Sequence, residues 1–284
     1  MLKRAVTFAA VGLALAVLAP KPPASADRLY SFCDPFKSKF CQGLVNLWSF
    51  EEASDTARTS ETGGARWLEP DAVNLTPYSA TRVNGSYAFQ HTAAANSWLV
   101  MRNSAGVGGQ AFSLGIWIYP DTNPSASGKT VQVLTTKKPS GTQGYPALEL
   151  VNTSGTTYLR YSATDIHGNA YSVQSPYAMG TGKWHFIVVG GKPLPSASYP
   201  SAVELFMEQR CLSTCGTTRS TATVNYPQYV DLGDVYLGAW NNTSPAEYGA
   251  YKIDYVGVWS WGFTQADVTA WYNSGNSKNF PFVD

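Results

Sequence analysis

The sequence is short of charge. Only 14% of its residues are Asp, Glu, Lys or Arg, and 20 basic residues nearly balance 19 acidic ones. A chain so close to neutral has no electrostatic means of holding nucleic acid or an anionic membrane, so neither is expected as a partner. Histidine is scarcer still: His91, His167 and His185 are the only imidazoles, and none lies in a metal-binding doublet or beside a serine elbow. That pattern excludes the familiar metallohydrolase and serine-hydrolase centres. A Glu-x-Asp-x-x-Glu run, which would set two carboxylates about 5 Å apart on one strand face for a retaining glycosidase, does not occur. Glu204 and Glu208 share a strand face, but four residues of rise part them by about 13 Å. Glu149 stands alone among leucines. No catalytic centre assembles, and two carboxylates facing each other across a cleft would be needed to revive a glycan-active hydrolase or lyase.

Long apolar runs are also missing after the first residues. Residues 1–26 read as a secretory signal: Lys3 and Arg4 lead, 5–19 are apolar, and Ala24-Ser25-Ala26 offers a small-residue cleavage site. Pro20, Pro22 and Pro23 stop the apolar run short of the roughly 20 residues a spanning helix needs, so a membrane anchor is the disfavoured alternative. The chain is expected outside the cytoplasm, secreted or periplasmic, with no membrane span once the signal is cut. Without Lys3, Arg4 and Lys21 its charge is about −2. Residues 27–43 then form a cysteine-containing extension and 44–284 a single domain, since no internal repeat or long linker divides them.

Cysteine is sparse as well: Cys33, Cys41, Cys211 and Cys215. An even count in an exported chain suggests disulfides, and four cysteines allow three pairings. The local pairs Cys33 with Cys41 and Cys211 with Cys215 are preferred, because each is bracketed by turn formers and the pairs lie far apart in sequence. A four-thiolate zinc site is the alternative, although the short paired hooks of zinc ribbons are absent.

What is abundant is aromatic, at 13% of the chain. With so little charge, the surface must be built largely from Ser, Thr, Asn, Gly and Tyr, which suits uncharged, hydroxylated partners. Short apolar or alternating runs recur between Gly, Asn, Ser and Pro clusters, at 44–50, 87–90, 98–101, 111–119, 130–136, 147–151, 157–162, 170–174, 183–189, 202–208, 234–240 and 251–261. This spacing predicts an all-β sandwich of two antiparallel sheets. Alternation assigns faces. Phe112, Leu114, Ile116 and Ile118 belong between the sheets, whereas Ser113, Gly115, Trp117 and Tyr119 face away. Val235, Leu237 and Ala239 read as core, with Tyr236, Gly238 and Trp240 opposite. Small residues beside rings leave room for a ligand, and flat rings stack on the C–H faces of sugars. One short helix is expected at the end: Thr264 caps it, Asp267 completes a capping-box pair, Val268, Trp271 and Tyr272 share a face, and Gly275 stops it.

Four stretches in order carry a family resemblance: Leu44-Val-Asn-Leu-Trp-Ser-Phe-Glu-Glu52, Phe112-Ser-Leu-Gly-Ile-Trp-Ile-Tyr-Pro-Asp121, Gly182-Lys-Trp-His-Phe-Ile-Val-Val189, and the closing strand and helix from Tyr251 to Gly275. Together they resemble the laminin-G-like, concanavalin A-like lectin/glucanase family over roughly residues 44–275. The resemblance implies a jelly-roll sandwich that recognises glycans or extracellular surfaces. It also implies a structural calcium at the sheet rim, carried over to Glu51 and Asp254, whose hard oxygens suit that ion. Ser60-Glu61-Thr62-Gly63 stands where the family usually shows Asp-x-x-Gly, and a hydrogen-bonded Asp254 with a solvated Glu51 is the other reading. The resulting expectation is a non-catalytic module binding carbohydrate or a glycosylated surface. Trp117, Tyr119, Tyr236 and Trp240 would be its stacking surfaces, with Tyr158 and Arg160 beside them. An extracellular adhesion component contacting protein is the alternative.

Overall fold

The computed structural model describes residues 38–50, 68–70, 78–79, 83, 88–91, 98–101, 110–124, 130–135, 146–194, 198–211, 215–226, 235–238 and 250–275. Among them the chain forms strands β1 (Leu44–Trp48), β2 (Leu68–Pro70), β3 (Tyr78–Ser79), β4 (Ala88–His91), β5 (Trp98–Met101), β6 (Phe112–Pro120), β7 (Thr130–Thr135) and β8 (Ala147–Thr153). These are followed by β9 (Thr156–Thr164), β10 (Ala170–Gln174), β11 (His185–Pro193), β12 (Val203–Cys211), β13 (Arg219–Val224), β14 (Val235–Gly238), β15 (Tyr251–Trp259) and the helix α1 (Gln265–Tyr272). The first sheet runs β13-β12-β11-β6-β15-β4-β3, with β1 also on β15; the second runs β10-β9-β8-β7-β14-β5-β2. Neighbouring strands are antiparallel throughout. The expected all-β, two-sheet sandwich with one short C-terminal helix is what forms.

Alternation sorts the side chains as the sequence predicts. Phe112, Leu114, Ile116 and Ile118 of β6 meet Leu148, Leu150, Leu159 and Tyr161 of the second sheet in one buried core, and Leu237 joins them. The opposite parity of the first sheet is buried too, which the sequence reading did not foresee. Leu47, Trp117, Phe186, Val188, Phe206 and Trp259 form a second apolar cluster with Phe263, Val268 and Trp271 of the helical segment. This helix is too short to persist alone, so its apolar side must dock. Gly115 and Gly257 are cross-strand neighbours; a Cβ on Gly115 would run into the Trp271 ring, and one on Gly257 would run into Trp259 and crowd Trp271 at 3.1 Å. Two missing side chains thus make the seat of one large one. Burying that indole is worth at most roughly 4–6 kcal/mol of transfer free energy.

The helix ends are satisfied locally. Thr264 Oγ1 accepts from Asp267 N at 3.2 Å, and Asp267 Oδ2 accepts from Thr264 N at 2.7 Å. The stop comes at Asn273, in the left-handed region at φ 46, two residues before the expected Gly275. Residues 39–43, assigned to the extension by sequence, pack on this same side. Phe40 is fully buried edge-on against Phe263, Trp259 Nε1 donates to Phe40 O at 2.8 Å, and Trp261 Nε1 donates to Gln42 O at 2.7 Å. Among the described residues no helix is long and apolar enough to cross a membrane.

Candidate functional site

The outer face of the second sheet is built differently. Leu148 and Leu150 point into the core, so Glu149 between them points out; Leu159 and Tyr161 do the same for Arg160, and Val131 and Val133 for Gln132. Register then lines these outward residues up across four strands: Gln174 of β10 opposes Arg160 of β9, Arg160 opposes Glu149 of β8, and Glu149 opposes Gln132 of β7. Arg160 Nη2 and Nε donate to one carboxylate oxygen of Glu149, at 2.9 and 3.3 Å. The carboxylate is buried at 1% exposure while the guanidinium side chain keeps 34%. Nη1 has no partner among the described residues, so the pair fixes the guanidinium and leaves a charged donor to offer. Gln132 Oε1 is a buried acceptor with no hydrogen-bond partner among the described residues. On one side of the row lie Tyr158, Val151 and Thr130, and on the other the small Ser172, Ser162 and Ala147.

The residues expected at the site divide between the two sheets. Tyr158 and Arg160 sit two residues apart on this polar face, both partly exposed. Tyr236 lies on the same face, opposite Thr135 and Val100, but retains only 5% exposure. Trp117 is on the other sheet with no exposed surface, its ring 5.6 Å from Tyr272 and 5.1 Å from Phe186. Neither Trp117 nor Tyr236 can act as an exposed stacking surface, a correction to the sequence reading. For Trp117 the reason is that the room beside Gly115 is taken by the chain's own Trp271. Tyr119, next along β6, is partly exposed, edge-on to Trp184 at 5.4 Å and under the Lys252 ammonium at 4.4 Å. Trp240 and Glu51 lie outside the described residues. Gln132, Glu149 and Gln174 were not foreseen as parts of a site. A signal for them existed: Ser154 and Gly155 both take positive φ, 51° and 84°, the hairpin turn that a two-residue Ser-Gly loop favours. Placing the turn there sets Glu149 opposite Arg160.

The other chemically active groups are engaged internally. Glu208, fully buried on the first sheet, accepts from Arg219 Nε at 2.9 Å and pairs with Arg210. Burial pushes its carboxyl up, while the two arginines oppose the shift. Glu204 pairs with Lys192 at 3.0 Å. Asp254 is buried at a bulge of β15, its Oδ1 accepting from Tyr255 N and its Oδ2 from Val83 N, each at 2.9 Å. Those are the bonds of a carboxylate that anchors backbone. Among the described residues the one cluster of three His, Cys, Asp or Glu donors is His185, Cys211 and Cys215. There the two sulfurs form a disulfide, as preferred over zinc. Cys41 is also disulfide-bonded, and Cys33 lies outside the described residues. His185 is held by Gly180 O at 2.9 Å and Gln209 Nε2 at 3.1 Å, and burial keeps its pKa below the usual imidazole range.

These features define an all-β sandwich with one outer face closed by its own helix and the other polar. In fold the chain is similar to the binding domain of Paraclostridial Mosquitocidal Protein 1, at TM-score 0.59 and 13% identity, over 82% of this chain and 52% of that one. It is similar as well to the Botulinum Neurotoxin Type G receptor binding domain, at TM-score 0.57 and 11% identity, over 82% and 51%. A third is the botulinum neurotoxin serotype D ligand binding domain solved in complex with N-acetylneuraminic acid, at TM-score 0.56 and 11% identity, over 81% and 50%. At such identities the likeness is one of fold, and the chain spans about half the length of these structures. No protein-family model matches the sequence, and no curated protein matches it either.

Proposed function

We propose that this chain is an exported, non-catalytic recognition module of the jelly-roll type that binds carbohydrate, or a glycosylated surface, through the outer face of its second sheet. The observation that carries the reading is the Arg160 guanidinium, pinned on buried Glu149 yet partly exposed, in the middle of a row flanked by Gln174 and Gln132. A fixed donor fork with amides on both sides suits the neighbouring hydroxyls of a sugar, because charge-assisted hydrogen bonds to a preordered group lose little entropy on forming. Tyr158 adds a ring on one flank, and the small, exposed Ser172 leaves space on the other, while Ser162 and Ala147 beyond it are buried. The scarcity of surface charge favours a neutral, hydroxylated ligand over a polyanion. Further support comes from the serotype D domain of similar fold, whose structure includes N-acetylneuraminic acid.

A shallow platform of this kind binds in the millimolar to micromolar range, roughly −4 to −8 kcal/mol. The test is a glycan array backed by affinity electrophoresis on mixed polysaccharides. Retention of the intact chain on at least one glycan, weakened about tenfold by Arg160→Lys through loss of the planar fork, is the expected result. Retention on none removes the reading.

A further inference from the structure

Among the described residues, four large hydrophobic side chains are exposed: Ile166 at 56%, Leu194 at 41%, and Tyr199 and Tyr226 at 37% each. All four lie on three connections at one corner of the sandwich. Ile166 is in the β9–β10 turn, Leu194 and Tyr199 are between β11 and β12, and Tyr226 follows β13. The corner is where β10 and β13, the edge strands of the two sheets, come into contact. Exposed His167 completes the group. Its ring is 4.4 Å from that of Tyr226 at 74°, and Tyr226 is 5.8 Å from Tyr199 at 84°. Three rings from three separate connections therefore meet roughly at right angles.

The connections are held in place. Asp165 accepts hydrogen bonds from His167 N at 2.8 Å, Asn169 N at 2.9 Å, Asn169 Nδ2 at 2.8 Å and Tyr171 Oη at 3.1 Å. Gly168 N donates back to Asp165 O at 3.0 Å, and Gly168 itself takes φ +83. On the second connection Leu194 N donates to Ala202 O at 2.8 Å and Ala202 N to Tyr199 O at 3.1 Å. Rings presented on turns already fixed cost little to order when something lies on them.

Size and chemistry decide between occupants. At 37% exposure each tyrosine shows roughly 80 Å². The whole patch then amounts to a few hundred Å², well below the roughly 800 Å² per partner of a standard protein interface. One or two pyranose rings would cover it. Its makeup, two phenols and an imidazole, offers flat faces for sugar C–H groups and edge hydroxyl and nitrogen atoms for sugar hydroxyls.

We propose that His167, Tyr199 and Tyr226 form an aromatic saccharide subsite at this corner, separate from the Arg160 row. The proposal rests on the carbohydrate reading given above. Histidine supplies a reporter that tells the two apart, because His91 and His185 are 0% and 3% exposed, so a surface sugar acts directly on His167 alone. The experiment is a titration of the intact chain with lactose, sialyllactose, cellotriose, maltotriose and chitotriose, followed in the ¹H–¹³C imidazole spectrum and, in parallel, by affinity electrophoresis. The expected result is a saturable shift of His167 with at least one sugar, His91 and His185 unmoved, and affinity weakened at least about tenfold by Tyr226→Ala. Tyr199→Ala, a change at another exposed position, is expected to weaken it too. A sugar that is retained in electrophoresis but leaves His167 unmoved overturns the subsite and leaves the broader reading standing. Sugars that neither shift His167 nor retard the protein overturn both. A shift of His167 by a protein partner with none from any sugar overturns the saccharide assignment.

Discussion

Trp271 fills the space that Gly115 leaves empty. The ring from α1 lies where the glycine's side chain would begin, and Gly257 on the neighbouring strand completes the seat. Gly115→Ala therefore forces the indole out of a close-packed cluster. The expected loss is about 1–3 kcal/mol for overpacking, whereas Trp271→Ala, which empties the seat, is expected to cost about 3–5 kcal/mol. Urea unfolding followed by tryptophan fluorescence measures both. A Gly115→Ala protein as stable as the original would show that the helix does not rest on β6.

Glu149 depends on Arg160 for compensation of a buried charge. Arg160→Ala is expected to destabilise the fold by about 1–3 kcal/mol, the cost of taking a charge-assisted donor away from a buried carboxylate, moderated because the guanidinium is partly exposed. Adding Glu149→Gln should return part of that loss, so the double variant is more stable than Arg160→Ala alone. Independent, additive effects in a double-mutant cycle would show that the two side chains are not coupled.

Asp267 links the helix cap to Lys39. Burial pushes its carboxyl up, but hydrogen bonds from Lys39 and Thr264 outweigh this and hold it below the ordinary aspartate value. A carboxyl depressed in the folded state gives its full stabilisation above the unfolded-state value, and loses it as pH falls through the folded one. Thermal stability is accordingly expected to decline as pH drops below about 4. Asp267→Asn, at a cost of about 1 kcal/mol near neutrality, should flatten the part of that decline due to this group. An identical acid profile for the two proteins would contradict the assignment.

Calcium removal separates the two readings of Asp254. Its two oxygens each accept a backbone N–H from inside the fold, so excess chelator is expected to leave the melting temperature unchanged. A fall of several degrees, reversed by calcium, would instead establish an ion held with Glu51.

The twelve strand-like runs of the sequence correspond to strands, because each carries an apolar face at the period of the pleat. The strands that escaped notice lack that signature. β13, Arg-Ser-Thr-Ala-Thr-Val, is an edge strand with mostly polar, part-exposed side chains, and β2 and β3 are only three and two residues long. Site prediction failed at Trp117 for a different reason. Alternation says which way a residue points and nothing of what covers it, and the apolar side of α1 carries no mark of the sheet it will choose. Arg160 and Glu149 were readable individually, but their pairing needed the turn at Ser154 and Gly155 to be placed first. The corner of His167, Tyr199 and Tyr226 had no linear signal, since contacts among three distant connections arise only when the two sheets come together.

The indole hydrogen bonds from Trp259 and Trp261 to Phe40 O and Gln42 O pin residues 39–43 beside α1, on the side away from the Arg160 row. Coupling the protein to a sensor chip through a group placed at exposed Gln42 would therefore leave the arginine-bearing surface turned toward the flowing analyte, whereas random amine coupling would not fix that orientation.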